Sequence, residues 1–158
     1  MLDTPRIVRV DVQLTAVIRL RVPRSEIRQV MGPGMAELMA TVAAQGIAPA
    51  GPVFSHHFRM DPATFDFEIG VPVARPVVPT GRVERGHLGG CDVARTVYRG
   101  PYEGLASAWG ELGAWIAEEA LTPAPDLWEC YVSGPESSQD SSTWQTELNR
   151  PIARQREG

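Results

Sequence analysis

The sequence predicts an α+β fold in which tandem duplicated strand-helix-strand-strand modules are related by pseudo-twofold symmetry around a central ligand cleft. Residues 8–22 alternate between apolar and polar side chains, which predicts one long strand, or two strands joined by a bend, with one face buried. Two later segments carry apolar residues at the three-and-four spacing of a helix. The order strand, helix, strand, strand then occurs twice along the chain, with matching residues at equivalent places.

Composition excludes several classes of protein. The chain has 158 residues, of which 43% are hydrophobic and 22% charged, and this suits one soluble domain with a real core. Its apolar runs are shorter than the roughly 18 residues of a membrane span, and its first residues do not form a secretory signal. Two cysteines cannot form a disulfide framework, so we expect a cytoplasmic protein with no membrane association. A net charge of −4 argues against a nucleic-acid surface.

The first strand and the first helix have recognisable ends. The even-numbered positions from 8 to 22 are apolar, Val17 is the single apolar residue of the other parity, and Pro23 stops the strand. Ser25 is predicted to cap the helix that follows, and Gly46 to end it. Because proline interrupts helices, Gly32-Pro33-Gly34 predicts a kink or a restart. The helical stripe comprises Ile27, Val30, Met31, Met35, Leu38, Met39 and Val42.

The remaining elements follow from alternation, turn residues and a second stripe. The predicted strands are 52–59, 64–73, 81–87, 91–99, 127–133 and 143–150. The second helical stripe comprises Leu105, Ala108, Trp109, Leu112, Trp115, Ile116 and Ala120. We expect a single domain with a first module over about 6–75, a linker over about 76–80, a second module over about 81–152 and a frayed tail over 153–158.

An internal repeat supports the duplication. With Gly46 opposite Ala120, Phe54 faces Trp128, and further on residues 65–69 face residues 144–148. The offset grows by about five residues between these matches, so the loop before residue 144 is longer in the second module. A groove between two such halves is a natural place for a ligand.

Few residues carry recognisable chemistry. Phosphate-binding, nucleophile-elbow and metalloprotease motifs are absent, His56-His57 with His87 makes a poor metal set, and Cys91 and Cys130 suit small buried hydrophobes. We therefore expect no metal site and no cofactor.

The segment Trp128-Glu129-Cys130-Tyr131-Val132 is the best candidate for a ligand site. Glu129 and Tyr131 share one strand face, where a carboxylate beside an aromatic ring suits capture of an aromatic cation. The alternative is an exposed strand edge whose Glu and Tyr simply meet water. The repeat places Ser55 and His57 opposite these residues, so all four would line one groove. Trp144 lies on a neighbouring strand, where it serves either the core or the pocket.

Several segments of the chain carry a resemblance to a known family. Residues 99–102 (Arg-Gly-Pro-Tyr), 114–118 and 128–131 before Ser133-Gly134-Pro135 resemble the GyrI-like small-molecule-binding domain. This is the effector-binding domain of many multidrug-responsive transcription regulators, and it also occurs as a stand-alone protein. The first-half segments 48–52, 60–62 and 65–68 are similar to it too, so the resemblance covers about residues 6–152.

The resemblance implies a role for Glu129. Glu129 falls on the central glutamate of the family's Glu-x-Tyr motif. In the family's transcription regulators, that glutamate anchors cationic aromatic drugs among stacked rings. Two features differ from the family pattern. His57 stands where members commonly carry tyrosine, and no helix-turn-helix precedes residue 6. We therefore expect no direct binding of nucleic acid.

Three functions remain open. The first is a stand-alone protein that sequesters or senses amphipathic, often cationic, aromatic compounds in a cleft centred on Glu129. Its expected ligand-binding residues are Glu129, Tyr131, Ser55, His57, Trp144, Tyr102 and Trp109. The second is a hydrolase of cyclopropane-bearing genotoxic compounds, as the resemblance implies for some stand-alone members. In that case the catalytic residues are Glu129, which activates water, and Tyr131, which positions the substrate or donates a proton. The third is inhibition of DNA gyrase through a protein–protein contact.

Overall fold

The computed structural model describes residues 2–60, 63–135 and 137–153. Contacts within the chain divide it into two compact units. Unit I consists of residues 11–90, and unit II consists of residues 1–10 together with residues 91–158. The helices of the described residues are α1 (Ile27–Ala44) and α2 (Leu105–Glu118). The strands are β1 (Arg6–Val10), β2 (Gln13–Pro23), β3 (Phe54–Met60), β4 (Thr64–Pro72), β5 (Val83–Leu88), β6 (Cys91–Arg99), β7 (Thr122–Pro123), β8 (Leu127–Ser133) and β9 (Gln145–Ala153).

Unit I is an antiparallel sheet with one helix packed on it. The strand order is β3-β4-β2-β5. Leu38 and Val42 of α1 lie in one buried cluster with Ile18, Phe67 and Ile69 from the sheet. Burial of these apolar side chains is the main source of stability for the unit.

Unit II has the same kind of architecture. Its antiparallel strand order is β1-β6-β9-β8, and the short β7 also pairs with β9. Leu112 and Ile116 of α2 share a buried cluster with Ala94, Tyr98 and Leu148 of the sheet. The second helical stripe is therefore confirmed as a core-facing stripe, except at its last residue. Ala120 lies beyond the end of α2, is exposed and has a φ of 55°.

The predicted ends of α1 are partly wrong. Ser25 does not cap the helix, because residues 24–26 form a 3-10 turn and Glu26 occupies the cap position without a side-chain hydrogen bond. The helix also runs through Pro33 as one element. The adjacent Gly34 serves close packing, since a Cβ there would approach Ile69 Cδ1 to 2.6 Å. Gly46, with a φ of 66°, follows the helix as expected.

The alternating segment 8–22 forms two strands, which is one of the two arrangements predicted from its alternation. β1 ends at Val10 and pairs with β6, whereas β2 begins at Gln13 and pairs with β4 and β5. The predicted burial of every even position is wrong at Val12 and Leu14, which are 63% and 39% exposed. In the middle of β2 both faces are buried, so Val17 fits the core although it breaks the alternation.

The other strand predictions are accurate to a few residues. β9 begins and ends later than predicted, and it continues to Ala153 because Thr122 pairs with that residue. Ala153 is therefore not frayed. Residues 154–158, like the predicted turn at Asp61-Pro62, lie outside the described residues. Neither helix of the described chain is long and apolar enough to cross a membrane.

Candidate functional site

Strand register directs Glu129 and Tyr131 of β8 toward α2. Glu129 pairs with Leu148 of β9, and Tyr131 pairs with Thr146. Because directly paired residues share a face of an antiparallel sheet and Leu148 belongs to the cluster under α2, both side chains point to the helix side. The sequence prediction that Glu129 and Tyr131 share a face is confirmed.

Glu129 accepts two hydrogen bonds, one on each carboxylate oxygen. Trp109 Nε1 of α2 donates to Glu129 Oε1 at 2.6 Å, and the Tyr131 hydroxyl donates to Glu129 Oε2 at 2.9 Å. These bonds fix the carboxylate between the helix and the strand. Hydrogen bonds to a charged acceptor are shorter and stronger than neutral ones, so the pair also stabilises the ionised form.

Burial acts on the same carboxyl in the opposite direction. Desolvation raises the pKa of Glu129 above its ordinary value, and the hydrogen bonds from Trp109 and Tyr131 lower it only in part. The net direction is upward. The site thus holds a carboxylate whose charge is poorly solvated and whose proton affinity is higher than that of a surface glutamate.

Aromatic rings extend the site beyond the carboxylate. The Tyr102 ring contacts two other rings. It meets the Tyr131 ring edge-on, with 6.1 Å between centroids, and it lies tilted against the Trp144 ring, with 5.1 Å between centroids. Trp144 Nε1 donates to the carbonyl of Ser138 at 2.9 Å, which holds its indole in place. We call Trp109, Glu129, Tyr131, Tyr102 and Trp144 the Glu129 cluster; all five belong to unit II.

The other two expected ligand residues lie in unit I. His57 Nε2 and Ser55 Oγ are 3.1 Å apart, and both side chains are buried. The His57 ring stacks on Phe67 at 5.0 Å between centroids. Burial lowers the pKa of His57 to about 4, and electrostatic repulsion by the neighbouring His56 and Arg24 side chains adds to this lowering. His57 is therefore neutral near pH 7. That His57 and Ser55 line the same groove as Glu129 stays a prediction.

The face of the sheet opposite the Glu129 cluster carries a polar group from β6 and β9 that the sequence analysis did not predict. Asn149 is fully buried, accepts a hydrogen bond from Arg95 Nε at 2.7 Å and donates to Glu147 at 3.2 Å. Cys130 lies beside it, and burial raises the pKa of its thiol to about 12, which makes it a poor nucleophile. The signal for this group was the polar alternation of residues 145, 147 and 149.

Two further observations concern metal binding and cavities near the site. No three His, Cys, Asp or Glu side chains of the described residues come together as a metal-binding group. An open groove of about 880 Å³ lies along α2, but its lining includes none of the expected ligand residues. It is lined by Leu2, Asp3, Thr4, Pro5, Tyr98, Gly104, Ser107, Ala108, Glu111, Ala114, Trp115 and Glu118.

Similarity to known proteins identifies the fold and the family. Residues 3–153 match the GyrI-like small molecule binding domain, which is nearly the whole chain. The chain belongs to this family. The GyrI-like assignment makes it a small-molecule-binding domain and agrees with the resemblance drawn from the motifs. No curated protein is significantly similar to the chain.

Several solved structures share the fold at low sequence identity. The C-terminal domain of EcmrR superposes with a TM-score of 0.85 at 19% identity, over 96% of this chain and 98% of that one. The chain spans only 58% of the EcmrR chain that is seen in complex with DNA. A hydrolase encoded by lin2189 of Listeria innocua has a TM-score of 0.66 at 14% identity, over 94% of this chain and 91% of that one. SAV2435 bound to tetraphenylphosphonium has a TM-score of 0.66 at 11% identity, over 96% of this chain and 94% of that one.

Proposed function

We propose that this GyrI-like domain binds amphipathic aromatic cations at the Glu129 cluster and so sequesters or senses them. The observation that carries the proposal is the environment of the Glu129 carboxylate. Both of its hydrogen bonds come from neutral donors, and within the described residues no arginine contacts it. A partly buried negative charge without a positive partner favours a ligand that brings one.

The rings around Glu129 suit the rest of such a ligand. Aromatic faces attract cations, and the attraction increases when water is excluded. Tyr102 is 36% exposed, while Tyr131 and Trp144 are partly buried beneath the same ring contacts. A flat cationic ring therefore meets aromatic surface first at Tyr102 and then at the deeper rings. SAV2435, which shares the fold, is bound to an aromatic cation, and this supports the same ligand class here.

We also propose that the fold arose by tandem duplication, with modules over about 6–75 and 81–152. In support, the strand order β3-β4-β2 with α1 corresponds to β8-β9-β6 with α2. Ser55 pairs with Ile69 as Glu129 pairs with Leu148, and the register shifts directly after His57 and directly after Tyr131. This similarity between the strand registers at Ser55 and at Glu129 supports the proposed duplication.

A hydrolase that uses the same residues is the second candidate. A raised carboxyl pKa moves Glu129 toward the range of an effective general base, and the Tyr131 hydroxyl bonded to it is a proton donor. For this function Glu129→Gln leaves substrate binding mostly intact and lowers turnover of a cyclopropane-bearing compound by about a hundredfold or more. We favour binding because, within the described residues, Glu129 is hydrogen-bonded only to the weakly acidic indole of Trp109 and phenol of Tyr131, so no second carboxyl or histidine is bonded to it as an acid–base partner.

The choice of ligand charge tests the proposed function. Tetraphenylphosphonium and tetraphenylborate have the same shape and opposite charges, so calorimetric titration of the wild-type protein with both isolates the effect of charge. We expect the cation to bind at least about tenfold more tightly than the anion, the scale of a hydrogen-bonded charge contact. Equal binding of the two ions, or preference for the anion, contradicts the proposal.

A further inference from the structure

Thr146 is a buried polar residue beneath the Glu129 cluster. It pairs directly with Tyr131 of β8 and with Tyr98 of β6, so its side chain lies on the α2 side of the sheet. The residue is fully buried, and its hydroxyl has no hydrogen-bond partner within the described residues. Buried hydroxyls are nearly always paired, because an unpaired one loses its bonds to water without compensation.

The neighbouring phenols do not donate to Thr146. The Tyr98 hydroxyl donates to the carbonyl of Pro101 at 2.7 Å, and the Tyr131 hydroxyl donates to Glu129. The threonine hydroxyl thus lies between two aromatic side chains whose protons are directed elsewhere. Because this hydroxyl is fully buried, only a ligand group that enters between the two rings can pair with it.

Unit I fills the corresponding position with a ring. Phe67 pairs with His57 as Thr146 pairs with Tyr131, and both pairs come immediately before a register shift. Phe67 is fully buried and stacks on His57. Unit II therefore has a hydroxyl, unpaired within the described residues, where unit I has a phenyl group. An apolar side chain would pack here without the cost of an unpaired hydroxyl, so this difference favours a role in recognition for Thr146.

We propose that the Thr146 hydroxyl is a second contact of the Glu129 site and selects aromatic cations that carry a neutral hydrogen-bonding group. The inference rests on the proposed function and names the ligand more narrowly. Glu129 and Thr146 are diagonal neighbours across β8 and β9, so their backbones are about 7 Å apart. This separation is on the scale of one substituted benzene ring. A ligand with a cationic centre and a hydroxyl at opposite ends of one ring therefore suits the two contacts.

Matched probes test the Thr146 contact. (4-Hydroxymethylphenyl)triphenylphosphonium and (4-ethylphenyl)triphenylphosphonium differ by a hydroxyl in place of a methyl group. We expect wild type to bind the hydroxymethyl probe more tightly, and Thr146→Val to weaken that probe by about 2- to 12-fold without changing the ethyl probe. Thr146→Ser keeps the hydroxyl and should retain the preference. Thr146→Ala gives the same comparison if the valine variant does not fold.

The stability of the same variants separates recognition from structure. Valine has nearly the shape of threonine, so it should leave the unfolding midpoint unchanged or raise it if the hydroxyl is unpaired. A lowered midpoint together with an unchanged probe preference overturns the inference, because the hydroxyl then has a structural partner. The inference is also overturned if Thr146→Val weakens both probes equally or weakens neither.

Glu129→Gln distinguishes this failure from failure of the proposed function. If the ethyl probe binds wild type and is weakened in Glu129→Gln, the cation site stands even when Thr146 shows no preference. If neither probe binds wild type, the proposed function fails and the Thr146 contact fails with it.

Discussion

The Trp109 indole and the Glu129 carboxylate join α2 to β8 through a hydrogen bond of 2.6 Å. Trp109 also packs at the edge of the core that contains Leu112 and Ile116. One side chain therefore belongs both to the helix–sheet packing and to the candidate site. The position of the carboxylate therefore depends on how α2 packs on the sheet. A change that loosens this packing should also move the carboxylate of the site.

Removing the indole donor should change the acidity of Glu129. Trp109→Phe keeps an aromatic ring and deletes the Nε1 proton that lowers the pKa of Glu129. The pKa of Glu129 should then rise further, so binding of tetraphenylphosphonium is lost at a higher pH as the solution is acidified. Calorimetric titrations over a pH series measure this midpoint. Trp115→Phe on the same helix is the control, and a midpoint that is identical in both variants contradicts the hydrogen bond's role.

Glu129 should make the folded protein less stable as the pH rises. Its folded-state pKa is raised, so between its unfolded and folded pKa values the native state holds the proton more strongly than the unfolded chain. Stability is greatest when the carboxyl is protonated and falls as the pH rises through that range. Glu129→Gln should reduce this slope in urea unfolding, leaving the contribution of Glu68, whose pKa is also raised by burial, whereas Glu118→Gln at an exposed site should leave the slope unchanged. A slope in Glu129→Gln as steep as that of the wild type contradicts the raised pKa.

His57 should destabilise the protein in acid. Burial holds its folded-state pKa near 4, below the ordinary value of 6.5, so the unfolded chain takes up the proton first as the pH falls. About 3 kcal/mol of stability is lost between pH 6.5 and pH 4, since each pKa unit is worth about 1.4 kcal/mol. His57→Gln should remove this loss and exposed His87→Gln should not. An NMR titration that gives His57 a pKa near 6.5 contradicts the prediction.

Leu112 tests the packing of α2. The side chain is fully buried, and truncation to alanine should lower the free energy of unfolding by about 2–5 kcal/mol in urea titration. Glu111→Ala, at the exposed neighbouring position, should cost less than about 0.5 kcal/mol. If Leu112→Ala also costs less than that, α2 does not seat on the sheet as described.

Local sequence patterns predicted which residues share a strand face in the site, but not which residues of other elements contact them. The alternation of β8 placed Glu129 and Tyr131 on a shared face because that face depends only on neighbours two residues apart. The contact between Trp109 and Glu129 was not predicted, since a helical stripe does not specify which strand lies opposite each residue. Thr146 was missed for a related reason. Its importance comes from cross-strand pairing with Tyr131, which depends on register rather than on sequence spacing.

Element ends were less predictable than element types. Ser25 has the chemistry of a helix cap, but the chain first makes a 3-10 turn and places Glu26 at the cap position. Val12 and Leu14 continue the apolar alternation and are nevertheless exposed. Alternation identifies the apolar face of a strand, but it does not show how far along the strand that face is covered. Such features depend on tertiary contacts that no local pattern contains.

The affinity of Glu129→Gln for a cation and for a neutral analogue tests the central claim most directly. Glutamine keeps the shape of the side chain and removes its charge, and tetraphenylphosphonium and triphenylphosphine oxide are aromatic probes with and without a positive charge. We expect the substitution to weaken the cation by about 1–3 kcal/mol, the range for a charged contact, and to leave the neutral probe nearly unchanged. If both affinities stay the same, or both fall equally, Glu129 does not hold the cation and the account of this site is wrong.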